Sequence, residues 1–590
     1  MEVRTFLSTD MMFAHTPASD SLNLEIPPLT FDRVYSRHIT TSDFSLFKLP
    51  VEISSRVLDY LTKKDLTTLS LVDHDCLRLA MPSNFKDVKL CFDPAKPQSL
   101  LANHLFSITE QYAPSHPSLD MPSCIRRLTI TTDPLAQCPP CRSARVTEHI
   151  SPSENQDIHL ISFIQSVSNI LEKSLPNLHI LDWNLPTSIS SPTLQSIFAS
   201  PAKHLRLEGV VLHEHNGFCL DNDQLPLETL SLNVSFTSYS DKSPHFFDNI
   251  FRRTRSTLRQ LRWTGNLDAE QIYLADEGIS FPCLRSLTLD TISCNSDNIL
   301  DLFLGPGTRV ETLAMDTMTP STSTFFGTRG YMSTLKHLCW LIHDQGEFAP
   351  LDKILLFIAD NSQLETLHIP GPLSPSFLSR SLLPTLTQCF TSLTSLHLVW
   401  ASADIQEEAL EAIATMNSLR HLWLSAGNQD GLRSTWQINH QCIITLLAPL
   451  TRLATLAFSR DTYVENAHPL APRSCDYYSS RMLPVGVDVS KYLSTDDYAT
   501  YQGKNVDIDK ARAQQTAMLR LAWESWHAEQ MIDIGRQYAI AFPSLHWFFV
   551  GQLAFASASH GFDFAQYPPR RDPCLTSLQK KMSVTLWRPI

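Results

Sequence analysis

The most regular feature of the chain is a spacing in which two positions, and then one position, separate three apolar residues. Clear copies begin at Leu178, Leu227, Leu258, Leu284, Val310, Leu335, Leu364, Leu393, Leu419 and Leu453, with a late copy at Leu545. A weaker copy ends in Leu205 and Leu207, and Ile125, Leu128 and Ile130 begin the series. Alternation of apolar and polar residues predicts a strand that buries one face. Each copy is therefore predicted to be a strand.

The segments between these copies have helical periodicity. Apolar residues recur at steps of three or four positions from Leu351 to Ile358 and from Ile405 to Met416. From Leu258 to Leu419 the copies repeat every 25–29 residues, which is typical of leucine-rich repeats. One such unit cannot bury its own apolar side, so successive units stack. The predicted fold is an α/β solenoid, an irregular leucine-rich repeat horseshoe with parallel strands on its concave face.

A different pattern occupies the stretch from Phe47 to Pro82. A Leu49-Pro50 pair opens it, and proline is well tolerated at the first position of a helix. Apolar residues at helical spacing then predict three short helices. The apolar positions are Ile53, Val57, Leu58 and Leu61, then Leu66, Leu69 and Val72, then Cys76, Leu79 and Ala80. Asp65 is predicted to cap the second helix, and Pro82 to end the third.

This stretch resembles the F-box, a three-helix module that binds Skp1. The segments LPVEI, RVLDYL, DLTTLSLV and CLRLA align with that module without a gap. The resemblance implies a Skp1 contact made by Leu49, Pro50, Ile53, Val57, Leu58, Leu61, Leu66, Leu69 and Val72. Many F-boxes carry Trp in the third helix, whereas this chain has Cys76, which is expected to supply a small buried group. The alternative is an ordinary helical hairpin that covers the end of the next domain.

The repeats lack a consistent Asn after each copy, since Ile292, Ala401 and Gly427 stand at that place. They resemble the irregular, helix-rich repeats that follow an F-box in many fungal proteins. The predicted organisation is a disordered arm at 1–43, an F-box at 44–84, a solenoid at 85–458 with a Pro-rich loop at 131–156, an insertion at 459–541, and a last repeat with a cap at 542–590.

The insertion combines a Tyr-rich loop with a helix predicted from Asp507 to Tyr538. Tyrosine is enriched at protein interfaces, so the loop is a candidate substrate contact, and a loop without a partner is the alternative. The tyrosines concerned are Tyr477, Tyr478, Tyr492, Tyr498 and Tyr501. Leu519, Trp523 and Trp526 share one face of the helix, where the two Trp side chains are expected to pack under the last repeat.

Charge and composition exclude several classes of function. The formal net charge is −13, which disfavours nucleic acid and anionic membrane surfaces as partners. No run of eighteen apolar residues predicts a transmembrane helix, and the first residues lack the apolar core of a secretory signal. The 13 cysteines are scattered, as in reduced proteins of the cytoplasm or nucleus.

No motif indicates catalysis, a cofactor or a metal. Cys138 and Cys141 have the spacing of a zinc half-site, but no second ligand pair accompanies them. His213 and His215 lack a nearby third ligand. The sequence therefore predicts a non-catalytic adaptor of a Skp1–cullin–F-box ubiquitin ligase, in which the repeats bind a protein substrate. The alternative is a leucine-rich repeat scaffold that is independent of ubiquitin ligation.

Overall fold

The computed structural model describes the following residues: 49–92, 121–132, 154–173, 175–212, 224–236, 244–264, 280–290, 297–305, 307–315, 320–341, 351–427, 429–430, 433–434, 436–458, 483, 486–492, 508–550 and 553–556. The predicted arm at 1–43, the Cys138–Cys141 pair and the His213–His215 pair lie outside them. The described residues fall into two compact units, a first unit within Leu24–Val310 and a second unit within Glu311–Ile590.

The first unit begins with helices and continues as strands that alternate with helices. Its helices are α1 (Val51–Tyr60), α2 (Lys63–Ser70), α3 (His74–Phe85), α4 (Met121–Cys124), α5 (Glu154–Lys173), α6 (Ser191–Ala199), α7 (Pro244–Thr254) and α8 (Asp297–Leu304). Its strands are β1 (Asp87–Phe92), β2 (Arg127–Thr132), β3 (Ile180–Asn184), β4 (Ser188–Ile189), β5 (His204–Leu212), β6 (Thr229–Phe236), β7 (Gln260–Thr264) and β8 (Ser286–Asp290). The strands pair in the order β1-β2-β3-β5-β6-β7-β8, and β4 extends the pairing beside β5.

The register of this parallel sheet places equivalent positions of successive copies side by side. Leu128 pairs with Leu181, Leu181 with Leu205, and Leu205 with Leu230. These leucines are at most 1% exposed. The strands predicted from the apolar spacing are therefore confirmed in this unit.

The third apolar position of each copy faces the helices. The Trp263 ring lies 4.6 Å from the Phe247 ring and 5.3 Å from the Phe251 ring, both on α7. Because successive side chains of a strand point to opposite faces, the residue between the second and third apolar positions faces away from the helices. We call that residue the central position, and the side on which it lies the strand face.

The second unit repeats this arrangement. Its strands are β9 (Thr312–Met315), β10 (His337–Trp340), β11 (Thr366–Leu373), β12 (Ser395–Trp400), β13 (His421–Ser425), β14 (Gln429–Asp430), β15 (Arg433–Ser434), β16 (Thr455–Phe458), β17 (Trp547–Val550) and β18 (Leu553–Ala556). Its helices are α9 (Pro320–Arg329), α10 (Leu351–Asp360), α11 (Pro375–Phe377), α12 (Leu383–Cys389), α13 (Glu407–Ala414), α14 (His440–Leu447) and α15 (Ile508–Ala541), with a π-helical turn at Leu378–Leu382 and a 3₁₀ turn at Val489–Tyr492.

The main sheet of this unit runs β9-β10-β11-β12-β13-β16-β17-β18, and β14 pairs only with β15. All its neighbours are parallel except β18, which returns antiparallel to β17. Trp340 on β10 packs 4.7 Å from Phe326 of α9, ring to ring, as Trp263 packs on α7. The α/β solenoid of leucine-rich repeat type is thus confirmed.

One buried side chain supports a turn between two repeats, a role that no sequence pattern indicated. Asn361 is fully buried; its Oδ1 accepts a bond from the Met332 N–H at 2.8 Å, and its Nδ2 donates to the Gly330 carbonyl at 3.1 Å. These contacts satisfy buried backbone groups that would otherwise destabilise the fold.

The helix predicted in the insertion is confirmed as α15. Trp523 is 1% exposed and stacks on His527, and Trp526 is half-buried. Leu519, one turn earlier on the same side of the helix, is 41% exposed. Near its end, Tyr538 bonds His440 Nδ1 of α14 at 3.0 Å and stacks on Phe548 of β17 at 4.7 Å. Tyr538 therefore fixes the end of the helix to α14 and to the last parallel strand.

Candidate partner-binding surfaces

The three helices α1–α3 begin at well-formed caps. Pro50 stands at the N-cap of α1 and not at its first turn, and its carbonyl accepts the Ile53 N–H at 3.0 Å. Thr62, not Asp65, caps α2. The Thr62 hydroxyl accepts the Asp65 N–H at 3.2 Å, and the Asp65 carboxylate accepts the Thr62 N–H at 3.1 Å, which completes a capping box. The Asp65 prediction failed because both residue types suit a helix start.

The third helix is longer than predicted. Asp73 caps it by accepting the Cys76 N–H at 2.6 Å, and the helix runs through Pro82 to Phe85. Proline removes one backbone donor but did not end the helix here, so the predicted stop was wrong. Cys76 is fully buried, as expected, and burial together with the Asp73 side chain raises the pKa of its thiol to about 11.

The three helices enclose a small core. Leu58 of α1, Leu66 of α2, and Leu79 with Ala80 of α3 are buried against one another. Leu61 and Leu69 pack on this cluster and remain partly exposed. Of the nine residues assigned to partner contact, Leu58 and Leu66 thus have a packing role, since a side chain inside the core offers no surface.

The remaining assigned residues lie at the surface. The exposed fractions are 41% for Leu49, 46% for Ile53, 37% for Val57 and 61% for Val72, and Pro50 is also exposed. The sequence did not single out Tyr60 and Leu71, which are 89% and 81% exposed. The helical surface is our name for the following exposed residues: Leu49, Pro50, Ile53, Val57, Tyr60, Leu71 and Val72. On α1 it follows the i, i+4, i+7 spacing of Ile53, Val57 and Tyr60, which places them on one side of the helix.

The three helices join the sheet directly. α3 ends at Phe85 and β1 begins at Asp87. The intervening Lys86 carbonyl accepts the backbone N–H groups of Arg126 and Arg127 at 3.1 and 2.9 Å. These bonds fix the end of α3 to the start of β2.

The predicted tyrosine contact is only partly described. Tyr477, Tyr478, Tyr498 and Tyr501 lie outside the described residues. Tyr492 is half-buried in the 3₁₀ turn, where Lys491 Nζ lies 5.0 Å from its ring centroid and 3.5 Å from the Glu529 carboxylate of α15. The substrate role of these tyrosines stays a prediction.

The strand face of the first unit is polar and partly accessible. Its central positions are Lys89, Thr129, Asp182, Arg206, Ser231, Arg262 and Thr288, which the register aligns in one row. Asp182 and Ser231 are buried, and the other five are half-buried or exposed. Nothing apolar stands in this row.

Ion pairs organise that row. Arg127 donates through Nε and Nη2 to Asp182 Oδ2 at 2.9 and 2.7 Å. Arg206 contacts Glu208, and Arg262 Nη2 lies 3.7 Å from the Asp290 carboxylate. Burial lowers the pKa of Arg262, and Asp290 opposes that shift.

The strand face of the second unit is buried and mostly uncharged. Its central positions are Ala314, Cys339, His368, His397, Trp423, Ala457 and Phe549, again aligned in one row. None of them is more than 7% exposed. Trp423, Ala457, Trp547 and Phe549 form one apolar cluster, and His397 stacks on Trp423 at 4.0 Å between ring centroids.

Histidines in this face bond hydroxyl groups on neighbouring strands. His368 Nε2 lies 2.8 Å from Ser395 Oγ, and His421 Nδ1 lies 2.8 Å from Thr455 Oγ1. Burial lowers the pKa of His368 to about 3 and that of His421 to about 4, so both rings are neutral at pH 7. The His397 pKa also lies well below its ordinary value, again because of burial.

The described ranges contain no group of three or more His, Cys, Asp or Glu side chains placed to hold a metal ion. Within the same ranges, no helix has both the length and the apolar content needed to cross a bilayer.

No family model and no curated protein matches the chain. Among solved structures, the chain is similar to the yeast complex of Rad7 and Elc1, with 14% identity over 70% of this chain and 88% of that chain and a TM-score of 0.34. It is also similar to a complex of TLR13 with the single-stranded RNA ssRNA13, with 13% identity over 58% of this chain and 43% of that chain and a TM-score of 0.31. At these TM-scores neither likeness carries an argument about function.

Proposed function

We propose that this protein is the substrate-recognition adaptor of a Skp1–cullin–F-box ubiquitin ligase. The helical surface is the observation that supports the proposal. Six of the eleven large apolar side chains that are exposed among the described residues lie between Leu49 and Val72. Concentrated apolar exposure of this kind is typical of protein-interaction sites, and the sequence resemblance to the F-box supports Skp1 as the partner.

In this role the chain itself catalyses nothing. The helical surface binds Skp1 and, through it, the cullin, while the repeats hold a protein substrate. Binding both raises the effective concentration of substrate lysines near the ligase-bound conjugating enzyme. The proposed compartment is the cytoplasm or the nucleus, where such ligases work and where free cysteines persist.

The test is co-purification of Skp1 with the full chain carrying Ile53→Glu and Val57→Glu. Both side chains are outside the helical core, so the fold tolerates the change, while two carboxylates would be buried in the interface. We expect Skp1 binding to weaken by more than about tenfold. Leu356→Glu is the matched control, because Leu356 is 59% exposed on α10, outside the helical surface.

Retention of Skp1 by the double variant, or absence of Skp1 from the wild-type protein, would contradict the proposal. Equal loss in the Leu356→Glu control would also count against it, since the effect would then not be specific to the helical surface.

A second candidate function is a leucine-rich repeat scaffold that acts without ubiquitin ligation. The accessible polar strand face of the first unit favours it, because that surface can bind a protein whether or not Skp1 is bound. The two functions differ in two measurements: co-purification of the cullin together with Skp1, and accumulation of a bound protein when this chain is deleted. The adaptor predicts both results, and the scaffold predicts neither.

A further inference from the structure

The residue immediately before each strand of the main sheets forms a second aligned row, which we call the edge row. In the first unit its members are Lys86, Arg126, His179, Lys203, Glu228, Arg259 and Arg285. The Lys203 carbonyl accepts the Glu228 N–H at 2.7 Å, and the Glu228 carbonyl accepts the Arg259 N–H at 2.8 Å. Arg285 N–H bonds the Arg259 carbonyl in the same way at 2.7 Å. The edge row is therefore held in register by the backbone.

This row is strongly basic within an acidic protein. Five of its seven residues are Lys or Arg and one is Glu, whereas the whole chain has a formal net charge of −13. Arg126 is buried, Lys86 and Arg285 are half-buried, and Lys203 and Arg259 are exposed. Glu228 is shared by two cations, since Lys203 Nζ lies 3.0 Å and Arg259 Nε 3.7 Å from its carboxylate oxygens. The side chains of Lys203 and Arg259 are 46% and 68% exposed, so their charges are accessible to a partner.

The edge row of the second unit provides an internal comparison. Its members are Glu311, Lys336, Glu365, Thr394, Arg420, Ala454 and His546. Two cations are balanced by two carboxylates at these positions. The same backbone ladder thus carries an excess of positive charge only in the first unit, so the ladder itself does not require that charge.

We propose that the edge row of the first unit, with the accessible strand face beside it, binds an acidic segment of a partner protein. The inference rests on the protein-binding role proposed above and adds the chemistry of what is bound. Parallel strands lie about 4.8 Å apart, so seven strands span about 29 Å, the length of about nine extended residues. Carboxylates along such a segment complement the excess of cations.

The observations favour a protein over a nucleic acid. Phosphate contacts dominate nucleic-acid affinity, and a phosphate backbone longer than the edge row would meet the remainder of a chain whose net charge is −13. Binding of single strands also uses aromatic side chains on which bases stack. The edge row of the first unit contains no Phe, Tyr or Trp.

The test measures binding of a fluorescent ten-residue glutamate peptide to the full chain by anisotropy at 50 and 200 mM salt. The variant is Lys203→Glu with Arg259→Glu. The matched control is Lys336→Glu with Arg420→Glu, which changes the net charge equally, at equivalent positions of the second unit. We expect the first pair to weaken binding by about tenfold or more and the control to change it by less than about twofold. Higher salt should weaken wild-type binding.

Equal weakening by both pairs, no wild-type binding, or tighter binding of a single-stranded oligonucleotide of equal charge would overturn the inference. Skp1 co-purification is measured on the same variants and keeps the two proposals separate. If Lys203→Glu with Arg259→Glu loses the peptide and retains Skp1, the acidic-segment inference is supported. If the variants change peptide binding as expected but Skp1 does not co-purify even with the wild-type protein, the acidic-segment inference is supported and the adaptor proposal is contradicted.

Discussion

The two units share one backbone plan and differ in what their strand faces carry. In the first unit the central positions are charged or hydroxyl-bearing, and five of the seven are at least partly accessible to solvent. In the second unit they are aromatic, histidine or small residues, and none exceeds 7% exposure. The leucines that face the helices are alike in both units. The difference teaches that the repeat pattern fixes the core, while the residue between two leucines determines whether a strand face meets solvent.

The largest expected effect is a selective loss of the second unit in acid. The pKa values of His368, His421 and His440 are lowered to about 3, 4 and 4, while an unfolded histidine titrates near 6.5. These rings are neutral in the folded state. Their contribution to the free energy of unfolding is therefore fully present above pH 6.5 and is lost as the pH falls toward 4. Within that pH range, each of the three histidines lowers the free energy of unfolding by about 1.4 kcal/mol per pH unit.

Hydrogen-exchange protection factors at pH 7 and pH 5 test this prediction. Amides of β11–β13 should lose more protection than amides of β6–β8. The first unit also contains a histidine with a pKa lowered to about 4, His204, so some loss there is expected. His421→Gln should reduce the acid sensitivity of the second unit, because one titrating ring is removed. An equal loss of protection in both units would contradict the prediction that the second unit is more sensitive to acid than the first.

The next effect concerns two central positions, one in each unit. Trp423→Ala removes a buried ring that stacks on His397, and we expect a loss of about 3–5 kcal/mol in the free energy of unfolding. Arg206→Ala at the equivalent position should cost under about 1 kcal/mol, since Arg206 lies partly in solvent. Urea denaturation of both variants provides the comparison. Similar costs would show that the two strand faces do not differ in packing.

An intermediate effect is expected from the ion pair at β2 and β3. The Asp182 side chain is 3% exposed, and among the described residues Arg127→Ala leaves its carboxylate with only the Thr129 hydroxyl at 3.5 Å. A buried charge without its partner is unfavourable, so we expect a loss of about 2 kcal/mol in unfolding free energy. In Arg127→Ala with Asp182→Asn, part of that loss should be recovered. No recovery would indicate that Arg127 acts through packing of its alkyl chain.

The smallest effect is expected at the edge row. Glu228→Gln removes the carboxylate between Lys203 and Arg259, and pairs this accessible contribute under about 1 kcal/mol. The Lys203 hydrogen bond lowers the pKa of Glu228, so this contribution is present above about pH 4.5 and is lost as the pH falls further. Urea denaturation in 1 M salt should abolish the difference from wild type. A cost that persists in salt would mean that Glu228 stabilises the turn by other contacts.

The repeat spacing was sufficient to predict the strands, because each leucine pattern is repeated and each copy must bury one side. Helix ends were less predictable: Thr62 and Asp65 both suit an N-cap, and α3 continues through Pro82 to Phe85. Which of the F-box apolar residues remain exposed depends on how three helices turn about each other, and spacing does not encode that.

The contrast between strand faces did have a signal in the sequence. Central positions change from Arg262 and Thr288 in the first unit to His397 and Trp423 in the second. An apolar residue at a position that alternation assigns to solvent indicates that the position is covered. Asn361 had no such signal, since its role depends on one turn about 30 residues away in sequence, at Gly330 and Met332.

The junction at Lys86 determines how far the helical surface can move from the first repeat. Only Lys86 separates α3 from β1, and its carbonyl accepts two backbone hydrogen bonds. The connection between α3 and the sheet is therefore rigid. In the proposed ligase, the distance from Skp1 to cargo on the first unit would then change only in increments of one strand, about 4.8 Å. The choice among substrate lysines would depend on which strands bind the substrate, because no flexible linker between α3 and β1 averages that distance.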